Sequence, residues 1–314
     1  MTWPRLAATA ALSLAALAVL AVPAEALAWG PLAHLNFSAQ GIAALPQVQP
    51  SVRMLLQEFG NAFLYGSLAA DIVVGKNMAK FLYHCHNWKV GFHVLDHARP
   101  GEEQAFAWGF LSHLAADTVA HNYYVPFKTV SSFHKTSTKH AYWELRYDQR
   151  MDPSLSVLAK QVTTRALRNH DHLLERTLGG ASVLPFGFSK QLFRSLIVTA
   201  RAPRFQHVSR FYLARERKLV LEPDLVAETN QLAVEAIVGL LHEGKRSQAA
   251  RADATGERNL RLASDLRRKL RERTQRRVIL AHDAHEIAQE TRESFRRAIH
   301  GKLVLPPSLR RLAA

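Results

Sequence analysis

The chain carries a single cysteine, Cys85, in 314 residues, so no internal disulfide can hold it together. Stability must come from an apolar core, which a chain of this length can build as one large domain or a domain with an appendage. An oxidising compartment stays open to it for the same reason. Beyond residue 28 there is no apolar run long enough to span a bilayer. Alternating runs rich in β-branched residues are scarce, which argues against a sheet protein. No internal repeat and no glycine-rich phosphate loop is visible. Acidic residues are also in deficit, with 26 Asp and Glu against 41 Lys and Arg. The resulting charge of +15 draws the chain to polyanions, either nucleic acid or an anionic membrane face.

What is present is leucine and alanine at spacings of three and four almost throughout, which predicts an all-α protein, a multi-helix bundle. Residues 1–28 have the anatomy of a secretory signal. Arg5 supplies the positive start, residues 7–22 the apolar stretch, Pro23 the break, and Ala26-Leu27-Ala28 a small-x-small cleavage site. An uncleaved anchor is the competing reading. Cleavage after Ala28 would leave Trp29 as the first residue of a secreted or periplasmic protein, with the net charge unchanged because Arg5 and Glu25 leave together.

Helices are expected over residues 32–44, 52–59, 103–124, 140–150, 154–178, 188–200, 206–216 and 223–242. Residues 66–77 read as a loop with a helical start. The Ser-, Thr- and Lys-rich stretch 128–138 reads as an exposed loop, and Pro306-Pro307 as the end of ordered chain. The implied organisation is a catalytic region over 29–178 and a helical region over 179–314 with a basic tail. In that tail Leu262, Leu266 and Leu270 form one apolar stripe. It either packs on the core or, as a membrane-surface helix, dips toward anionic head groups.

The sequence His113-Leu-Ala-Ala-Asp117-Thr-Val-Ala-His121 lies inside the helix expected over 103–124. Spacing of four and four sets all three side chains on one face. Polar groups on an otherwise apolar face need partners. A divalent metal satisfies imidazole nitrogen and carboxylate oxygen together, and that mixture is the one zinc prefers. The alternative is a solvated or hydrogen-bonded face. His140 and Glu144 repeat the four-residue spacing, and as an isolated pair they are equally a surface contact. Asp71, His84 or His86, and His34 are further candidates. His93, His97 and His134 read as surface or supporting residues. The cluster His282, Asp283, His285 and Glu286 reads as exposed.

Taken in order, Trp29, His34, Asp71, His86, His113, Asp117, His121, His140 and Glu144 resemble the zinc-dependent phospholipase C family, which shares a tri-zinc superfamily with single-strand nucleases. The resemblance implies about three zinc ions. It assigns Asp71, His86, His113 and Asp117 to one of them. Asp117 bridges to a second, held by His34 and by the free amino group and carbonyl of Trp29. His121, His140 and Glu144 take the third. It also implies a hydroxide shared by zinc ions as nucleophile, since metal binding lowers the pKa of water to about 7, with Asp71 as catalytic base. Two spacings depart from the family. His121 follows Asp117 by four residues instead of six, and the short Trp29–His34 interval is that of the nucleases. The substrate class that follows is a glycerophospholipid, with single-stranded nucleic acid and a non-catalytic metal-binding role as the other readings. No platform of interleaved aromatic and basic residues for bases is visible.

Overall fold

The structure is a computed structural model that describes residues 29–72, 86–135, 140–164, 168–178, 191, 193, 221–301 and 303–313. Of the helix expected over 188–200 only residues 191 and 193 are among them, both helical, and the helix expected over 206–216 and the segment 1–28 lie outside. The described elements are all helical, with no strand among them.

The axis of the fold is α5 (Glu102–Val119), buried on nearly every side. A helix that is apolar all round has no solvent face and must be wrapped by others. Glu102 and Glu103 in its first turn complement the positive end of the helix dipole. Around it pack α1 (Pro31–Ala43), α2 (Pro50–Glu58), α3 (Gly60–Ile72), α4 (Trp88–Asp96), α9 (Arg168–Leu178) and α10 (Pro223–Glu243). α7 (His140–Asp148) and α8 (Leu155–Thr164) close the side occupied by α1.

The tightest crossing is α3 on α5, and two glycines make it. A Cβ on Gly66 would lie 2.0 Å from the Phe106 carbonyl oxygen, and one on Gly109 would lie 2.0 Å from that of Phe63. The backbones therefore touch where any larger residue would hold them apart. Gly66 sits in mid-helix, not in a loop, which corrects the loop reading of 66–77 over its described part.

α5 does not run on to Tyr124. It passes into one π-helical turn, Ala120–Tyr124, and then into α6 (Val125–Ser131). Pro126 lies in the first turn of α6, where a missing N–H costs nothing, so the proline starts a helix here and does not end one. The stretch expected as an exposed loop from 128 is buried as far as Phe133, because Lys128 finds Glu222 at 2.9 Å and Val130 and Phe133 enter the core. Over it pack α12 (Glu257–Gln275) and α13 (Ala281–Ala298), after the short α11 (Gln248–Arg251). Leu266 and Leu270 are wholly buried and Leu262 partly, so the stripe of α12 faces the core. α14 (Pro307–Ala313) begins at Pro307, again as a first-turn proline, where the sequence reading ended the ordered chain. No helix among the described residues is long and apolar enough to cross a membrane.

Candidate metal centre

His113 and Asp117 stand one turn apart on α5. They meet Asp71 from α3, His34 from α1 and His86 from the residues preceding α4. All five side chains are buried. His86 Nε2 lies 3.0 Å from His113 Nε2, 3.4 Å from Asp71 Oδ1 and 3.3 Å from Asp117 Oδ2. His113 Nε2 is 3.3 Å from Asp117 Oδ2 and 3.8 Å from Asp71 Oδ1. His34 Nε2 is 3.4 Å from Asp117 Oδ1, and its ring stacks on that of His113 with centroids 3.7 Å apart.

The α3–α5 crossing explains how Asp71 reaches His113. It also lets the Nδ1–H of His113 donate to the Ser67 carbonyl at 2.9 Å. That bond fixes the tautomer, because a proton on Nδ1 leaves the Nε2 lone pair facing the cluster, as in histidines that ligate metals.

The electrostatics are those of a charge-bearing pocket. Burial and the neighbouring His113 hold the His34 imidazole below its ordinary pKa. Burial would lower His113 as well, but the carboxylates of Asp117 and Asp71 outweigh it and raise that group. Burial would raise Asp117, yet His113 and His34 pull it well below the carboxylate range.

Among the described residues, neither carboxylate oxygen of Asp117 and neither ring nitrogen of His34 finds a hydrogen-bond partner. Burying such atoms unsatisfied costs about 1–3 kcal/mol each, and more when charged. A divalent cation among them removes that cost. A tetrahedral ion with ligands at ~2.0–2.1 Å keeps its donors roughly 3.3–3.4 Å apart, close to the separations found here. His34, Asp71 and His113 form one group able to hold an ion, and His86, His113 and Asp117 another. The donor set of imidazoles and carboxylates fits zinc.

Four further candidates stand outside those two groups. Trp29 is fully buried in a nest of Phe37, Tyr124 and Tyr147, and its indole N–H donates to the Ala116 carbonyl at 3.2 Å, next to Asp117. Ligation by its amino group depends on removal of residues 1–28, which lie outside the described chain. His121, in the π-helical turn, donates Nδ1–H to the Ala254 carbonyl at 2.6 Å. Glu144 is buried on α7. His140 opens that helix, but its side chain is outside the described part, as is His84. His93, His97 and His134 are exposed, and His282 pairs with Glu286 at 3.2 Å on the surface.

One residue near the centre escaped the sequence reading. Asp148, one turn beyond Glu144, accepts a hydrogen bond from the Ala33 amide at 2.8 Å and another from Leu32, so a distant carboxylate caps α1. Burial pushes its pKa up to about 7, with Asp71 adding to the shift. A Cβ on Gly30 would lie 2.3 Å from the Asp148 carboxyl carbon, so the glycine permits the contact. The available signal was the continued spacing of four from His140 through Glu144.

Compared with known proteins, residues 33–179 match the family model described as zinc dependent phospholipase C. No curated protein and no solved structure matches the chain.

Proposed function

We propose that this chain, whose residues 33–179 match the family model described as zinc dependent phospholipase C, hydrolyses glycerophospholipids to diacylglycerol and a phosphorylated head group. The observation that carries the reading is the buried meeting of His34, Asp71, His86, His113 and Asp117, with hydrogen-bonding atoms of His34 and Asp117 left over for a cation. Zinc bound there supplies Lewis-acid charge and lowers the pKa of bound water to about 7.

The chain's own part is placement. Ser67 orients the His113 ring through its carbonyl, and the histidines around Asp117 keep it ionised. The α3–α5 crossing holds Asp71 against His86 and His113, where it takes the proton of the attacking water as general base. As water adds to phosphorus, the P–O bond to the diacylglycerol oxygen breaks and that oxygen is protonated. The surrounding core excludes bulk water and so strengthens each electrostatic contact.

In the same reading residues 1–28 are cleaved on export, Trp29 contributes its new amino group, and His121, His140 and Glu144 complete a site for about three zinc ions. A nuclease acting on single strands is the second reading, favoured by the +15 charge and the short Trp29–His34 interval. Metal analysis of protein beginning at Trp29, paired with chelator-reversible turnover of phosphatidylcholine vesicles and of single-stranded DNA, tests both. Two to three zinc per chain with lipid turnover supports the first proposal. DNA cleavage alone moves the chain to the second, and metal-loaded protein inert on both leaves a binding protein. One extra residue ahead of Trp29 should impair turnover, and full activity in that form removes the N-terminal ligand from the account.

A further inference from the structure

α12 and α13 meet at a turn over residues 276–280 that carries an unusual combination of side chains. The end of α12 is a Schellman-type stop. The Val278 N–H donates to the Arg273 carbonyl at 2.9 Å and the Arg277 N–H to that of Thr274 at 3.1 Å, with Arg277 at φ +59°. That position favours glycine, because any side chain is strained there. Here it holds a cation at the tip instead.

The next residues alternate outward and inward. Val278 is 66% exposed and Leu280 69% exposed, while Ile279 between them packs on the core. Single exposed aliphatics are ordinary on a soluble protein. Two exposed aliphatics in one turn, on a stretch of chain this rich in arginine, are not. Over residues 267–280 seven Lys and Arg face one acid, Glu272. Among the described residues Arg271, Arg273, Arg276 and Arg277 form no ion pair with a carboxylate. Asp283 and Glu286 lie just beyond, in the first turns of α13, and Glu286 is engaged by His282.

Water satisfies the arginines but not Val278 and Leu280, whereas an apolar protein surface would satisfy the reverse. An anionic bilayer satisfies both, since head-group phosphates meet the cations while aliphatic side chains enter the acyl boundary. We propose that the 276–280 turn is a membrane-docking tip for anionic phospholipid surfaces, with Val278 and Leu280 inserting and Arg273, Arg276 and Arg277 meeting phosphate. This deepens the lipid reading by naming the surface on which substrate would be met. It uses none of the metal-centre residues. The tip stands roughly 28 Å at 1.5 Å per residue along α12 from Gly256, the residue that caps this helix and packs on the His121 backbone, so docking and turnover can be measured apart.

The test is co-sedimentation of the full mature chain with phosphatidylcholine vesicles made with and without phosphatidylglycerol. The protein should sediment with the anionic vesicles and be released by salt. Val278→Asp with Leu280→Asp should cut partitioning at least about tenfold. Arg277→Gly should cut it about fivefold, the worth of one cation near an anionic surface, while raising the thermal midpoint because the strain is relieved. Turnover of a short-chain soluble phosphodiester should not change in either variant. Parent protein that stays in the supernatant, or a double variant that binds like the parent, overturns the proposal. So does a parent dimer that the double variant abolishes, because a second copy would then cover the tip. Vesicle binding without any hydrolysis supports docking and removes the phosphodiesterase reading instead.

Discussion

α5 and α12 are nearly equal in length, and each carries polar residues at three- and four-residue spacing. In α12 most of those residues face water, and some pair with a neighbour, as Arg268 does with Asp265 at 3.1 Å. In α5 two of them, His113 and Asp117, sit in the core, and among the described residues the oxygens of Asp117 find no hydrogen bond. The difference lies in what surrounds the pattern. On a helix with a solvent face, charge at i and i+4 means little, whereas on a helix without one it demands a partner from outside the ordinary protein repertoire. α5 contains its own control. Glu103 is as buried as His86, yet it accepts hydrogen bonds from Arg99 at 2.6, 2.8 and 2.9 Å and from Arg176 at 2.8 Å, and has nothing left to offer a metal.

The sharpest way to break the contrast is Asp117→Asn. It should cut phosphodiester turnover by about a thousandfold or more, the loss expected when several kcal/mol of metal-centred charge stabilisation goes, and metal content should fall with it. Retained zinc and near-normal rate would reduce the α5 pattern to a structural one. Leu270→Ala in α12 comes next, on stability alone. The fully buried side chain should cost about 2–5 kcal/mol in denaturant unfolding, with metal content per folded chain unchanged.

Glu103→Gln should cost less, about 1–2 kcal/mol, because Arg99 and Arg176 are substantially exposed and screened. Its pH dependence has a definite sign. Burial opposes ionisation of Glu103, but the two arginines hold its pKa down to about 2, against 4.5 when unfolded. The stabilisation is therefore complete above pH 4.5 and is lost as pH falls toward 2. The variant and the parent should converge in stability over that window, and a constant gap would show that the ion pairs are not its source. The smallest effect belongs to Arg268→Ala on the exposed face of α12, within about 0.5 kcal/mol in the same unfolding assay. A larger loss would mean that the surface pairs of α12 are worth more than exposed ion pairs ordinarily are.

How far the sequence could be read follows the same division. The all-helical class was legible because the apolar spacing is regular, and His113 with Asp117 because both lie in one helix whose register is countable. The approach of Asp71 to His113 was not, since it depends on two glycines in different helices meeting backbone to backbone, and Gly66 read alone looks like a breaker. Composition alone misleads over residues 128–133. Lys128 is buried only because Glu222, far along the chain, comes to meet it. Asp148 is silent in the sequence for a similar reason, as its role as a cap for α1 exists only once α7 has folded against it.

The contact of Gly66 with Phe106 and of Gly109 with Phe63 has a consequence for how the protein tolerates change. It works as a ruler, setting the gap between two donor groups from about one turn away. A methyl group added at Gly109 would touch neither ion nor substrate, yet it would push Asp71 away from His113. Selectivity among metal ions of different radius can therefore be written into this chain at positions that no inspection of the ligands alone would reveal.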